Sequence, residues 1–220
     1  MGVIWEMIDF QASIKGNRSE NLDFVVHLSV NDVQAVIMVD GYRCTTEAVT
    51  KLLASVNNES ILDEQTAKGV ILKLRSEEDV NVSILCVLKA PKIFSVYSSG
   101  DCRVYDSQGQ LLTRDHTNAW KNLEEKGVNF DSIGSLVAKH PGRRVLTSSL
   151  RFPNPQYDGH EISIVDVKPG SQFLLCTDGF WEHFDRSTVN NIFNKTLRIE
   201  DFLESMQGKS ENSTACVLTV

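Results

Sequence analysis

No stretch of this 220-residue chain approaches the run of about 18 apolar positions that a membrane-spanning helix requires. The start, Met1 to Glu6, lacks a basic region followed by an apolar one, so no secretory leader is expected and the cytoplasm is the default compartment. There is no C-x-x-C pair. The five cysteines are odd in number, and Cys86, Cys176 and Cys216 lie in apolar runs, which reads as buried thiols in a reducing compartment rather than a disulfide framework. A basic stripe is also missing: a net charge of −7 gives nothing to neutralise a phosphate backbone, so a nucleic-acid surface is excluded. Neither a nucleic-acid nor a membrane partner is expected, and with no internal repeat and no long linker, residues 1–220 read as one monomeric domain.

What is present is a mixture of strand and helix signals. Val3-Ile4-Trp5 opens as a strand, and Lys15-Gly16-Asn17 breaks the pattern. Asp23–Val30 and Val33–Val39 then form a hairpin across Asn31-Asp32. Apolar residues at helical spacing predict helices over 45–56 and 63–74. Strands return at Val80–Leu88 and Ile93–Ser98, followed by a short pair, Arg103-Val104-Tyr105 and Gln110-Leu111-Leu112, across the turn Asp106–Gly109. A helix is expected over Thr117–Lys126 and a loop over 151–160. Strands follow at Glu161–Val165 and Phe173–Thr177, then a helical region near 187–206 and a last strand, Thr214–Val220. Strands in runs, rather than strictly alternating with helices, imply antiparallel sheets covered by helices, an α+β class.

Two stretches share one grammar: Val36-Ile37-Met38-Val39-Asp40-Gly41 and Phe173-Leu174-Leu175-Cys176-Thr177-Asp178-Gly179. Each is a strand too apolar to face water that ends in Asp-Gly. A carboxylate in such a place is partly desolvated and must be paired, hydrogen-bonded or metal-bound; the plain alternative is a tight turn. Asp158-Gly159-His160 follows a proline-containing loop instead and reads as a turn. Hard oxygen donors of this type suit Mg²⁺ or Mn²⁺.

Five stretches, in order, resemble the metal-dependent serine/threonine protein phosphatase family, type 2C. "KGNRSENLD" (15–23) is similar to its Gly-x-Arg-x-x-Asn-Glu-Asp, and "VDGY" (39–42) to its Val-x-Asp-Gly. "SSGDCRVYDSQGQLLTRDH" (98–116) resembles Gly-Asp-Ser-Arg-x-Tyr followed by Leu-Thr-x-Asp-His. "LLCTDGFWEHF" (174–184) resembles Leu-Leu-x-Ser-Asp-Gly-Leu-Trp-Asp, and "ENSTACVLTV" (211–220) the closing Asp-Asn-x-Thr and final strand. The resemblance implies a sandwich of two antiparallel β-sheets flanked by α-helices, with a two-metal site at one end. Carried over by motif, Asp40, the Gly41 carbonyl, Asp178 and Glu211 would bind Mn²⁺ or Mg²⁺. Arg18 would hold the substrate phosphate, and Asp23 would orient the attacking water. Two bound ions would acidify that water and neutralise the phosphate.

The pattern also departs from the family. Leu22 stands where the motif has Glu, which leaves a second ion short of a ligand, so one or two ions are expected. A one-residue shift would make Glu20 the ligand, but alternation along the strand from Asp23 argues against it. Glu211 replaces Asp and reaches one methylene further. Tyr42-Arg43-Cys44 replaces a His- or Met-and-glycine run, and Val82-Ser83-Ile84 a Gly-Ser/Thr-Thr. His116, Trp181 and Phe184 read as structural, and Arg143-Arg144 as a solvated pair. Two functions follow from the resemblance. One is a phosphoserine/phosphothreonine protein phosphatase in signalling; the other is a catalytically weak or inactive module that binds a phosphoprotein or a serine/threonine kinase.

Overall fold

The computed structural model describes residues 7–56, 66–77, 80–91, 93–154, 160–165, 167–209 and 211–220. The expected strand at Val3-Ile4-Trp5, the turn at Asp158-Gly159 and the first residues of the 63–74 helix lie outside them. Among the described residues, nine strands form two sheets. β1 (Ile8–Ile14), β9 (Ser213–Thr219), β8 (Gln172–Cys176) and β6 (Arg103–Asp106) lie side by side in that order. The second sheet runs β2 (Asp23–Val30), β3 (Val33–Gly41), β4 (Val82–Ala90), β5 (Ile93–Ser99) and β7 (His160–Val165). Every pairing is antiparallel, as the order of strand signals implies.

Period-two alternation explains why the strands read as continuous apolar runs. Along β3, Ala35, Ile37 and Val39 point to an outer core, while Val36 and Met38 point to the space between the sheets. Both faces are buried, so no polar alternation survives in the sequence. The outer face of the five-stranded sheet is covered by α1 (Thr46–Ala54) and α2 (Ala67–Glu77) through Val49, Leu52, Val70 and Ile71. Each such fully buried aliphatic side chain contributes roughly 1.5–3 kcal/mol. Between the sheets, Phe94 and Phe173 stack with ring centroids 4.5 Å apart.

The outer face of the four-stranded sheet is covered by α3 (Asn118–Glu125), α4 (Phe130–Val137), the short α5 (Asp178–Trp181), α6 (Arg186–Phe193) and α7 (Ile199–Met206). Side-chain caps mark the starts of several helices: Thr117 accepts from the Trp120 amide, Asn129 from that of Ser132 and Asp185 from that of Thr188. The expected helical region near 187–206 is thus two helices, broken where Lys195 takes a left-handed φ of 58°. α4 and a 3₁₀ turn over Pro141–Arg144 have no counterpart in the sequence reading. No helix among the described residues is long and apolar enough to cross a membrane.

One expected pairing is present only in shortened form. Gln110–Leu112 is not a strand beside β6; a single bridge joins Tyr105 to Leu111, and β6 pairs with β8. The Thr113 hydroxyl accepts the Val104 amide proton at 3.1 Å, so a side chain takes over at the end of the would-be ladder. Beside it lies the most demanding polar contact of the core. Arg103 is buried, binds both oxygens of buried Asp115 at 2.9 and 2.6 Å and donates to Tyr105 and to the Gly134 carbonyl. Its guanidinium also lies 3.6 Å from the Trp181 ring centre. Removing one member of a buried ion pair leaves its partner's charge uncompensated. Arg103→Ala is therefore expected to lose roughly 3–5 kcal/mol of stability, read by urea denaturation against the unsubstituted chain.

Candidate metal and phosphate site

The strand register builds the site. Asp23 lies opposite Asp40 across β2 and β3, and Asp40 opposite Ser83 across β3 and β4, forming a row at one end of the five-stranded sheet. Two residues further along, Val25, Met38 and Leu85 point between the sheets, so the row faces the same space. From the other sheet, Thr177 follows Leu175 on the inter-sheet face and donates its hydroxyl proton to Asp23 Oδ2 at 2.7 Å. Asp178 opens α5 immediately afterwards.

Glycine sets how closely the last loop approaches. A Cβ at Gly179 would stand 2.1 Å from the Asn212 carbonyl oxygen, so no larger residue lets α5 begin there. Asn212 then ties the first motif to the last: its amide group donates to the carbonyls of Lys15 and Glu20 at 2.9 and 2.8 Å, and its Oδ1 accepts from the Leu22 amide at 3.0 Å. This brings Arg18 and Glu211 to the same place from positions 193 residues apart.

Asp101 joins them, a residue the sequence reading quoted without giving it a role. It does not end an apolar strand, but it stands next to a glycine, as Asp40 and Asp178 do. Ser83 Oγ accepts from the Asp101 and Cys102 amides at 2.8 and 3.2 Å, and Trp181 Nε1 donates to the Asp101 carbonyl at 2.8 Å. His116 Nδ1 lies 3.1 Å from the Gly100 amide nitrogen, so this histidine braces the turn, as expected of a structural residue. Gly100 has φ 123°, and a Cβ there would fall 2.1 Å from Ser83 Oγ. Ser83, Trp181 and His116 thus hold the Asp101 turn from three sides.

A cavity of 720 Å³ opens at this end of the sandwich, with Arg18, Asp40, Gly41, Asp101, Asp178 and Glu211 in its wall. Asp23 is buried behind them. Burial and mutual repulsion push the carboxyl groups up together. Asp23 is raised to about 7, first by burial and against the stabilising Thr177 hydroxyl. Asp178 is raised to about 6 by burial and then by the charge of Glu182. Asp40 lies well above the usual carboxylate range through burial and the charges of Asp178, Asp23 and Asp101; Asp101 is likewise held high by burial and by Asp178. Among the described residues Asp23 Oδ1 has no hydrogen-bond partner, although it is buried. Clustered oxygen donors, one of them orphaned, fit a hard divalent cation. Among the described residues no three of these groups already stand in closed metal-ligand geometry, so the fit is one of chemistry and placement.

The departures also have places. Leu22 lines the cavity with an apolar side chain. Glu20 lines it too, but its carboxylate accepts from the Thr46 hydroxyl at 2.8 Å and so sits against the start of α1. Arg43 adopts φ 50°, a left-handed conformation unusual for a residue with a side chain. The Tyr42 hydroxyl and Ser149 Oγ are 2.9 Å apart. Arg143 and Arg144 differ from each other: Arg143 is partly buried and binds Glu182 through two bonds of 2.6 and 2.9 Å, while Arg144 is exposed as expected but lines the cavity and pairs with Glu211.

No protein-family model and no curated protein matches the chain. Solved structures do match it. The serine/threonine phosphatase of S. agalactiae is 18% identical, with 94% of this chain and 97% of that one covered and a TM-score of 0.70. Stp1, a serine/threonine phosphatase from Staphylococcus aureus, is 18% identical, with coverage of 97% and 95% and a TM-score of 0.72. The catalytic domain of the serine/threonine protein phosphatase PstP, solved in complex with two manganese ions, is 15% identical, with coverage of 96% and 97% and a TM-score of 0.64. The chain has the fold of these phosphatases, the sandwich that the sequence motifs imply.

A carboxyl group whose folded pKa exceeds its unfolded value binds more protons in the folded state, so its contribution to stability is lost as pH rises through the folded pKa. Asp23, Asp40, Asp101 and Asp178 all shift in this direction. With chelator present, the melting temperature should fall by roughly several degrees between about pH 5 and pH 8, and Mn²⁺ should recover more of it at the higher pH. A differential scanning fluorimetry series settles the sign; a flat profile would contradict the clustering of charge.

Proposed function

We propose that this chain is a Mn²⁺- or Mg²⁺-dependent phosphatase that removes phosphate from serine or threonine of proteins. The observation that carries this reading is the meeting of Asp40, Asp101 and Asp178 beside Arg18 in one cavity, in a fold that PstP carries with two manganese ions. Asp40, the Gly41 carbonyl, Asp178 and Glu211 would hold the ions, with Asp101 as a further carboxylate at hand. Bound there, such ions would neutralise the phosphate and acidify a water molecule.

The remaining roles belong to the chain's own groups. Arg18 would bind phosphate oxygens through its planar fork, its cationic state reinforced by Glu211 and then by the charges of Asp178 and Asp40. Asp23 Oδ1 would accept a proton from the attacking water and hold it in line, while the Thr177 hydroxyl fixes Oδ2. The Asp101 turn, braced by Ser83 and Trp181, keeps its carboxylate from swinging away. Leu22 favours a second reading, a catalytically weak module that binds a phosphoprotein or a kinase, because its apolar side chain stands in the cavity wall where the related motif has a carboxylate.

Hydrolysis of a phosphopeptide across millimolar Mn²⁺ separates the two. Mn²⁺-dependent turnover is expected, and Asp178→Asn should lower it beyond the roughly 10–100-fold that outer partners of a metal site cost. Rates at background, unchanged by Asp178→Asn, would support the binding module. Leu22→Glu should tighten Mn²⁺ binding by about tenfold, measured by calorimetry; an unchanged affinity would mean that residue 22 does not face the ions.

A further inference from the structure

At the cavity mouth Glu211 stands between two arginines, Arg18 on one carboxylate oxygen and Arg144 on the other. The three come from the first motif, the 3₁₀ turn and the last loop, so the arrangement is built by the fold and not by local sequence. Both arginine side chains are about half exposed, at 54% and 56%. The pairing is not needed to anchor the turn that carries Arg144: its neighbour Arg143 already does so through the two-bonded pair with Glu182. In a chain of net charge −7, Arg18, Arg43 and Arg144 all line this one cavity.

We propose that Arg18 and Arg144 together form a binding site for a phosphate monoester dianion, and that Glu211, while no ion holds it, occupies this site as an internal anion which the phosphate must displace. The inference rests on the phosphatase reading of the cavity and adds Arg144 to the groups that touch substrate. A guanidinium on each oxygen of a carboxylate leaves two forks whose remaining donors match the oxygens of a tetrahedral dianion. The dianion brings more charge than the carboxylate it replaces. Because ion pairs of half-exposed arginines are weakly held in water, Glu211 is a partner that can be exchanged. Its side chain is one methylene longer than the aspartate of the related motif, which extends its reach towards the arginines at the mouth.

The test is calorimetric titration of inorganic phosphate into the full chain with chelator present, so neither metal nor turnover enters. Glu211→Gln is expected to bind phosphate about tenfold more tightly than the unsubstituted chain, and adding Arg144→Gln should remove that gain. Glu211→Ala, which takes away the same carboxylate without leaving an amide, provides the comparison if the Gln variant does not fold. Unchanged affinity on removing Glu211, or a gain that survives Arg144→Gln, would overturn the proposal. Either result is independent of hydrolysis: a chain without Mn²⁺-dependent turnover can still show the exchange, and an active enzyme can lack it.

Discussion

The structure is organised around mutual repulsion of carboxylates that are shut away from water. Asp23, Asp40, Asp101 and Asp178 arrive from both sheets at one end of the sandwich, where burial makes ionising each of them costly. Like charge adds to that cost. A fold that sets anions together in this way holds free energy that a cation can release, which is how a site is prepared before its ligand arrives. The rest of the molecule supplies the rigidity needed to keep those groups from relaxing apart.

That rigidity comes from small contacts at the strand ends. The register of β2, β3 and β4 fixes the row Asp23, Asp40 and Ser83; Ser83 Oγ then carries the placement on to the Asp101 turn by accepting hydrogen bonds from the Asp101 and Cys102 amides. Asn212 closes the opposite side by binding three backbone groups of the first motif. Under the floor, the Arg103–Asp115 pair and Trp181 connect the Asp101 turn to the helical layer. Geometry at the site is therefore set by backbone groups and buried side chains more than by the flexible arginines at its mouth.

Much of this was legible in the chain itself. Asp40 and Asp178 announced themselves because each ends a strand with no polar face, a pattern that only two-sided burial produces. Antiparallel sheets with helices outside followed from the order of strand signals. Asp101 was harder to see, since two serines and a glycine precede it in place of an apolar strand end; those serines are buried, and only tertiary contacts reveal that. α4 escaped because it is only eight residues long and contains Gly134, a poor helix former, although Phe130, Ile133 and Val137 keep helical spacing and Asn129 caps it. Arg144 is exposed as it read, but its pairing with Glu211 was hidden because the partner lies 67 positions away, beyond any local pattern.

The pairing of β1 with β9 has a consequence for how the molecule is made. Residues 8–14 wait for residues 213–219 before either strand is complete. The Asn212 bonds to Lys15, Glu20 and Leu22 need the same late arrival. Such long-range closure is slow to form. On the ribosome, then, the acidic cluster stays open until residues 212–219 have emerged, so a molecule synthesised only as far as β8 has no finished pocket.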